Sequence, residues 1–167
     1  MAKRKKTSPA AKSADVPGSP GLAFRGLDEL IGYRLRRAQS AVHRDYNIMF
    51  DELKLTQKQT GVLWLVNVNP GIAQGTIGAA LGMDRATMMV LVDRLEGRGL
   101  IRRMRSARDA RQRELFATPA GERMMKKVQD LTVRHERRLK TLFTSSELRL
   151  FEDLLQRLQG LASTGED

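Results

Sequence analysis

The stretch Arg98-Gly-Leu-Ile-Arg-Arg-Met-Arg-Ser-Ala-Arg-Asp-Ala-Arg-Gln-Arg113 holds seven arginines and one acid. Two short apolar alternations, Leu100–Met104 and Glu114–Ala117, flank its polar centre. That is the pattern of a β-hairpin with a charged tip. Immediately upstream, Ile72–Leu81 reads as a short helix of small residues that Gly82 breaks. Asp84 then caps a second helix running to about Glu96, and Gly97 and Gly99 stop it. Small residues in the first helix permit the close crossing that a helix-turn-helix demands. Asp84 also places an acid where it complements the helix dipole. Two helices followed by an arginine-tipped hairpin make the pattern of a winged helix-turn-helix.

Outward from this module the chain reads as helical. Leu27, Ile31, Leu35, Ala38, Val42 and Met49 fall on one stripe, which predicts a long amphipathic helix from Leu27 to about Phe50. Thr56-x-x-Gln59 is a capping-box signature for a helix over 57–67, and Asn69-Pro70-Gly71 ends it. Its Val62, Leu63, Leu65 and Val66 suggest deep burial. After the hairpin, Thr118-Pro119 offers a capping hydroxyl and then a proline at the first helical position, opening a helix to about Phe143. Thr144-x-x-Glu147 starts a last helix over 146–161. Leu148, Leu150, Phe151, Leu154, Leu155, Leu158 and Leu161 give that helix an apolar face larger than a small module needs, which reads as a dimer interface built with the first helix, with packing inside one subunit as the alternative.

The expected fold is therefore mainly α with a small β-wing, a winged helix-turn-helix plus a helical dimerisation layer. Residues 1–22 read as a disordered basic tail. Residues 23–54 read as an N-terminal dimerisation helix, 55–118 as the DNA-binding domain, and 119–167 as C-terminal dimerisation helices.

Charge supports a polyanionic partner. The chain has 167 residues, a net charge of +11, and 30 basic against 19 acidic side chains. Residues 1–25 carry six bases and one acid, and residues 55–121 carry ten and five. Residues 26–54 balance at five and five, and 122–167 at nine and eight. The excess thus sits on the tail and on the winged module, as expected for a domain that meets nucleic acid. There is no cysteine, which excludes disulfides, thiolate metal sites and a cysteine nucleophile. No apolar run approaches the ~20 residues that span a bilayer. Lys3-Arg4-Lys5-Lys6 is followed by Thr-Ser-Pro-Ala rather than an apolar segment, so a cytoplasmic location is expected.

Several fragments in fixed order resemble the MarR family of transcriptional regulators. They are Leu55-Thr56-x-x-Gln59-x-x-Val62-Leu63, Pro70-Gly71, Leu81-Gly82-Met83-Asp84-Arg85-Ala86-Thr87, Leu91-Val92-Asp93-Arg94-Leu95-Glu96, Gly99-Leu100-Ile101-Arg102-Arg103, Asp109-Ala110-Arg111 and Thr118-Pro119-Ala120-Gly121. The resemblance spans roughly residues 27–161. It implies an obligate homodimer, triangular in outline, whose first and last helices interlock. Two recognition helices would then enter successive major grooves of a pseudo-palindrome, with half-sites ~10 bp apart. The resemblance also implies that Asp109 orients arginines by salt bridge and that Arg111 enters the minor groove. A narrow minor groove concentrates negative potential and attracts a guanidinium. Repression is the commoner behaviour in the family.

On this reading the helix from Arg85 supplies the base contacts. Arg85, Ala86 and Thr87 lie at its start, with Met89 and Arg94 further along. Arg85 can read guanine through its planar fork. The chain departs from the family at Met89 and Val90, where members often carry polar and basic side chains. Apolar contact with thymine methyls and readout of DNA shape are both open there. Core packing is the other reading of Met88, Met89 and Val90, and it is the preferred one for Met88. Arg102, Arg103, Arg105, Arg108 and Arg113 are candidates for phosphate contacts, which position without specifying. Strand alternation allows only about half of them to face DNA.

Family members often hold a small ligand, commonly an aromatic acid, between the dimer layer and the DNA module. Trp64, the single tryptophan, falls near that junction. Tyr33, Arg37 and Arg44 share one face of the first helix, and His43 and Tyr46 are further candidates. An aromatic beside cations suits an anionic aromatic ligand or an acyl-CoA thioester, whose phosphates favour arginine. A solvated face with ordinary salt bridges fits the same residues.

Two other functional classes have less support in the sequence. An enzyme would need convergent catalytic groups, and the chain offers two histidines, no phosphate-binding glycine motif and no HExxH. No cofactor is expected, and His43 and His135 lack the helical spacing of a metal pair. An architectural DNA-binding protein without an effector remains the alternative. It is distinguished by a low ratio of specific to random DNA affinity.

Overall fold

The computed structural model describes residues 24–106 and 113–163. The basic tail and the wing tip, with Arg108, Asp109 and Arg111, lie outside the described residues. The elements in order are α1 (Ile31–Phe50), α2 (Gln57–Val68), β1 (Ile72–Ala73), α3 (Gln74–Ala80), α4 (Arg85–Gly97), β2 (Ile101–Arg105), β3 (Arg113–Ala117), α5 (Pro119–Lys140) and α6 (Ser145–Gln159). Short 3-10 turns occupy Leu27–Glu29, Asp51–Leu53 and Gly160–Ser163. The mainly helical class with a small antiparallel sheet is as the pattern indicates.

Side-chain caps set most boundaries. Thr56 and Gln59 form a reciprocal capping box at α2, and Thr144 and Glu147 form another at α6. Asp84 caps α4 and Thr118 caps α5, with Pro119 in the first turn. Each cap satisfies amide donors that a helix start leaves without partners.

Four boundaries differ from the sequence reading. The first helix begins at Ile31, because Leu27–Glu29 close a 3-10 turn and Leu30 is extended. Ile72 and Ala73 are a strand rather than the start of a helix, pairing antiparallel with Leu115 and Glu114. The wing is therefore a three-stranded sheet of order β1-β3-β2. The fifth helix stops at Lys140, before Phe143, with the Thr141 hydroxyl bonded to the Arg138 carbonyl. The α-helical part of the last helix ends at Gln159, two residues short of Leu161.

The chain divides at His43/Arg44 into two compact units. In the first, Arg34 Nε donates to the Asp28 carbonyl at 2.8 Å, and Phe24 lies against Tyr33 with ring centroids 5.9 Å apart. In the second, the core gathers Phe50, Leu63, Ile77, Met88, Leu95, Leu115, Met125 and other apolar side chains from the helices and the sheet. Val62, Leu63 and Val66 are fully buried as expected, while Leu65 and Trp64 pack on the core's margin. Gly78 allows α3 to cross α4 closely. A β-carbon there would sit 3.1 Å from Met88 Cγ and 3.2 Å from the Met83 carbonyl oxygen. α6 buries nothing, and Leu150, Phe151, Leu154 and Leu158 are exposed along it.

One buried polar group has no counterpart in the sequence reading. His135 of α5 is 5% exposed, edge-on to the rings of Tyr46 and Phe50. Its Nε2 lies 3.5 Å from Asp45, whose other oxygen is 3.2 Å from Arg138. Tyr46 stacks on Phe50 and shares a 2.5 Å hydrogen bond with the Thr60 hydroxyl. Burial raises the Tyr46 pKa, against the lowering effect of that bond.

Candidate nucleic-acid interface

The outer surface of the module is built by α3, α4 and the sheet. Met88, Leu91, Val92 and Leu95 turn α4 onto the core. That packing leaves Arg85, Ala86, Met89, Val90, Asp93 and Arg94 exposed on the opposite side. Met88 is thus a core residue, as expected. A groove of about 850 Å³ runs between α3, α4 and the strands, lined by Gln74, Thr76, Arg85, Met89, Arg103 and Arg113 among others.

Asp84 fixes the start of α4. It accepts the Thr87 amide at 2.8 Å through one oxygen and the Thr87 hydroxyl at 2.6 Å through the other. The hydroxyl bond foremost, then the amide bond, holds the Asp84 carboxyl below the usual aspartate range. A depressed folded-state pKa means that the cap is present above the unfolded value and is lost as pH falls through the lower folded value. The Thr87 amide resonance is therefore expected to titrate in ¹H–¹⁵N spectra with a midpoint below that of an ordinary aspartate. A midpoint at or above the ordinary value would contradict the cap. The Thr87 hydroxyl proton is committed to Asp84, so its part in reading bases is reduced to that of an acceptor.

The wing arginines have separate tasks. Arg103 points toward α4, where its guanidinium pairs with Asp93 and, at 3.0 Å, with Glu96. Its backbone N–H also donates to Glu96 at 3.0 Å, on the edge strand of the sheet. Glu96 thus blunts an edge while bracing the helix. Arg102, on the opposite face of β2, lies over the Phe116 ring at 5.5 Å. Arg98 donates to the Lys54 and Leu53 carbonyls at 2.5 and 2.9 Å, tying the end of α4 to the turn before α2. Arg105 and Arg113 are exposed and sit directly opposite each other in the β2–β3 register. Like charges in that relation repel. A phosphate between or beside them would relieve the repulsion. Of the five phosphate-contact candidates in the sequence reading, Arg108 lies outside the described residues, while Arg105 and Arg113 are exposed and form no ion pair among the described residues.

The candidate ligand residues divide between the two units. In the first, the Arg37 guanidinium lies 6.0 Å from the Tyr33 ring centroid, and His43 is half-buried. In the second, Arg44 is exposed, Tyr46 is in the core with Thr60, and Trp64 is half-buried on the core margin. Among the described residues no group of three or more His, Asp or Glu side chains could hold a metal ion. No helix among them is long and apolar enough to cross a membrane.

A family model described as the MarR family matches residues 53–112. The transcriptional repressor CouR, in a structure bound to a 23-mer DNA duplex, is 37% identical, with a TM-score of 0.74 over 84% of this chain and 98% of that one. CouR bound to p-coumaroyl-CoA superposes equally well, with 35% identity over 86% and 99% of the two chains. The regulator PcaV of Streptomyces coelicolor, in complex with its natural ligand, is 28% identical with a TM-score of 0.73, covering 87% and 100%. The HTH-type transcriptional regulator YybA of Bacillus subtilis is 31% identical over 68% of this chain and 75% of its own length. These relatives are transcriptional regulators, not enzymes.

Proposed function

Since the chain belongs to the MarR family of transcriptional regulators, we propose that it is a dimeric repressor released from a pseudo-palindromic operator by a small anionic aromatic compound or its CoA thioester. The observation that carries the DNA half is the braced surface around α4. Arg85 heads a helix locked by its cap and by Arg103, and the open Arg105–Arg113 pair flanks it. In this reading Arg85, Ala86, Thr87, Met89 and Arg94 face the major groove. Arg105, Arg113 and Arg108 meet phosphates, while Asp109 and Arg111 serve the minor groove. Arg103 acts by holding α4 in place.

Residues 55–118 form the DNA-binding domain, and the helices of 23–54 and 119–167 form the dimer layer. The exposed leucines of α6 support the second assignment, because an apolar face of this size on a single chain marks an association surface. Two-fold symmetry then presents two copies of α4 to successive major grooves.

The effector half rests on the Tyr33–Arg37 pair and on the ligands of similar proteins, p-coumaroyl-CoA for CouR above all. Tyr33, Arg37, His43, Arg44 and Trp64 are the residues assigned to it, while Tyr46 stays in the core with Thr60. Ligand would favour a dimer whose recognition helices no longer match the operator spacing. Moving the population from mostly bound to mostly free takes a preference of ~5 kcal/mol between the two states.

The test is displacement of a labelled promoter fragment by a panel of aromatic acids and their CoA thioesters, followed alongside by Trp64 fluorescence. One compound is expected to release the DNA and to change the emission at matching concentrations. Release by no member of the panel would remove the effector half of the proposal.

A further inference from the structure

The outward face of α4 lacks hydrogen-bonding side chains where a reading helix would be expected to carry them. With Met88, Leu91, Val92 and Leu95 in the core, Ala86, Met89, Val90 and Asp93 are left along the middle of the exposed face. The Asp93 carboxylate is engaged by Arg103. The Thr87 hydroxyl is engaged by Asp84. Ala86, Met89 and Val90 have no polar side-chain atoms. Arg85 and Arg94, toward the two ends, are the remaining donors on this face.

The apolar centre is also open. Met89 is 53% exposed and Val90 45% exposed. A helix with its apolar stripe already turned inward gains nothing for its own fold from a second stripe on the outside. The major-groove edges of the four base pairs offer one apolar substituent, the C5-methyl of thymine. Methionine's unbranched, polarisable side chain adapts to such a group. Ala86, at the first turn, adds no bulk between the helix and the base edges.

We propose that α4 reads thymine methyl groups through Met89 and Val90, so that T·A pairs contacted by packing specify the middle of each half-site. Arg85 adds a hydrogen-bonded contact at the helix start. The inference rests on the reading of α4 as the DNA-facing helix, and extends it to the base feature recognised.

Replacement of thymine by 2′-deoxyuridine deletes only the methyl and keeps the base pair. A preferred operator is selected in vitro with the full chain, and its thymines are then replaced one at a time. Loss of one buried methyl corresponds to about a fourfold drop in affinity. One or two positions per half-site are expected to show a drop of that size. Met89→Ala and Val90→Ala are expected to bind the thymine operator more weakly and to lose sensitivity at the matching position. Met89→Leu is expected to keep that sensitivity. Both side chains are exposed, so the variants are expected to retain the wild-type circular dichroism. Specific operator binding with no effect of deoxyuridine would overturn the inference and leave the function intact. So would an equal drop in wild type and alanine variants, because the methyl would then act through DNA shape. Selection of no preferred sequence would overturn this inference together with the operator-binding reading.

Discussion

Gly121→Ala is expected to destabilise the fold by about 3 kcal/mol or more, at the upper end of what overpacking costs. A β-carbon at position 121 would lie 2.0 Å from the Leu100 carbonyl oxygen and 3.0 Å from its carbon. Neither partner can withdraw cheaply. The Leu100 carbonyl accepts the Thr118 amide at 3.0 Å, and the Thr118 hydroxyl donates to the Gly99 carbonyl at 2.5 Å while capping the Gly121 amide at 3.1 Å. The start of α5 is thus stitched to the start of β2 through backbone atoms. Urea unfolding of the variant should show a lower midpoint at an unchanged slope. A stability within about 0.5 kcal/mol of wild type, the usual range for an uninvolved surface site, would contradict the contact. Gly75→Ala is the matched comparison, since no atom lies within 4 Å of its added β-carbon in α3. It is expected to stabilise the fold by about 0.5–1 kcal/mol.

Arg103→Ala is expected to weaken operator binding at least tenfold while lowering stability by about 1 kcal/mol or less, as for a partly exposed ion pair. The guanidinium spans Asp93 and Glu96 and cross-links the wing to α4. Removing it leaves two carboxylates unopposed on the surface proposed to face phosphates, and frees the helix from its brace. The affinity loss therefore combines repulsion with lost preorganisation. Adding Asp93→Ala to the variant removes part of the repulsion, so the double variant should recover part of the affinity. A double-mutant cycle measures that coupling directly. Unchanged affinity in Arg103→Ala would mean that the brace is irrelevant to DNA. An affinity loss matched by global unfolding would place Arg103 in the fold alone.

These two residues mark where local reading ends. Caps were legible because their chemistry is complete within four residues, as Thr56 with Gln59 and Thr144 with Glu147 show. The wing was legible because alternation and an arginine-rich turn sit side by side. Gly121 was visible only as part of a fragment, since its partner carbonyl lies 21 positions upstream. The strand at Ile72–Ala73 escapes local reading because two residues carry no period, and their partners are at 114 and 115.

The site shows the same limit. For Arg102, Arg103, Arg105, Arg108 and Arg113 the sequence allowed about half to face DNA without saying which. Asp93 and Glu96, a helix away, single out Arg103, and the Phe116 ring holds Arg102 on the other face. Tyr46 read as a pocket candidate, and its hydroxyl instead meets Thr60 inside the core. The Asp45–His135–Arg138 cluster joins residues 90 or more positions apart, beyond any local spacing rule. Met89 and Val90 were legible as a departure from the family pattern, and their exposure appears only in the fold. What makes that departure informative is the occupation of their polar neighbours, which only the fold reveals.

The central claim is that the chain recognises a specific operator. Its most direct test is the affinity of the full chain for its own promoter region against random DNA of equal length. About 150 mM salt is suitable, where non-specific phosphate attraction is already screened. Preference for the promoter by at least ~10³, with one dimer per site, is the predicted result. Equal binding to both DNAs would contradict it, and would make the arginine-lined surface a general polyanion clamp.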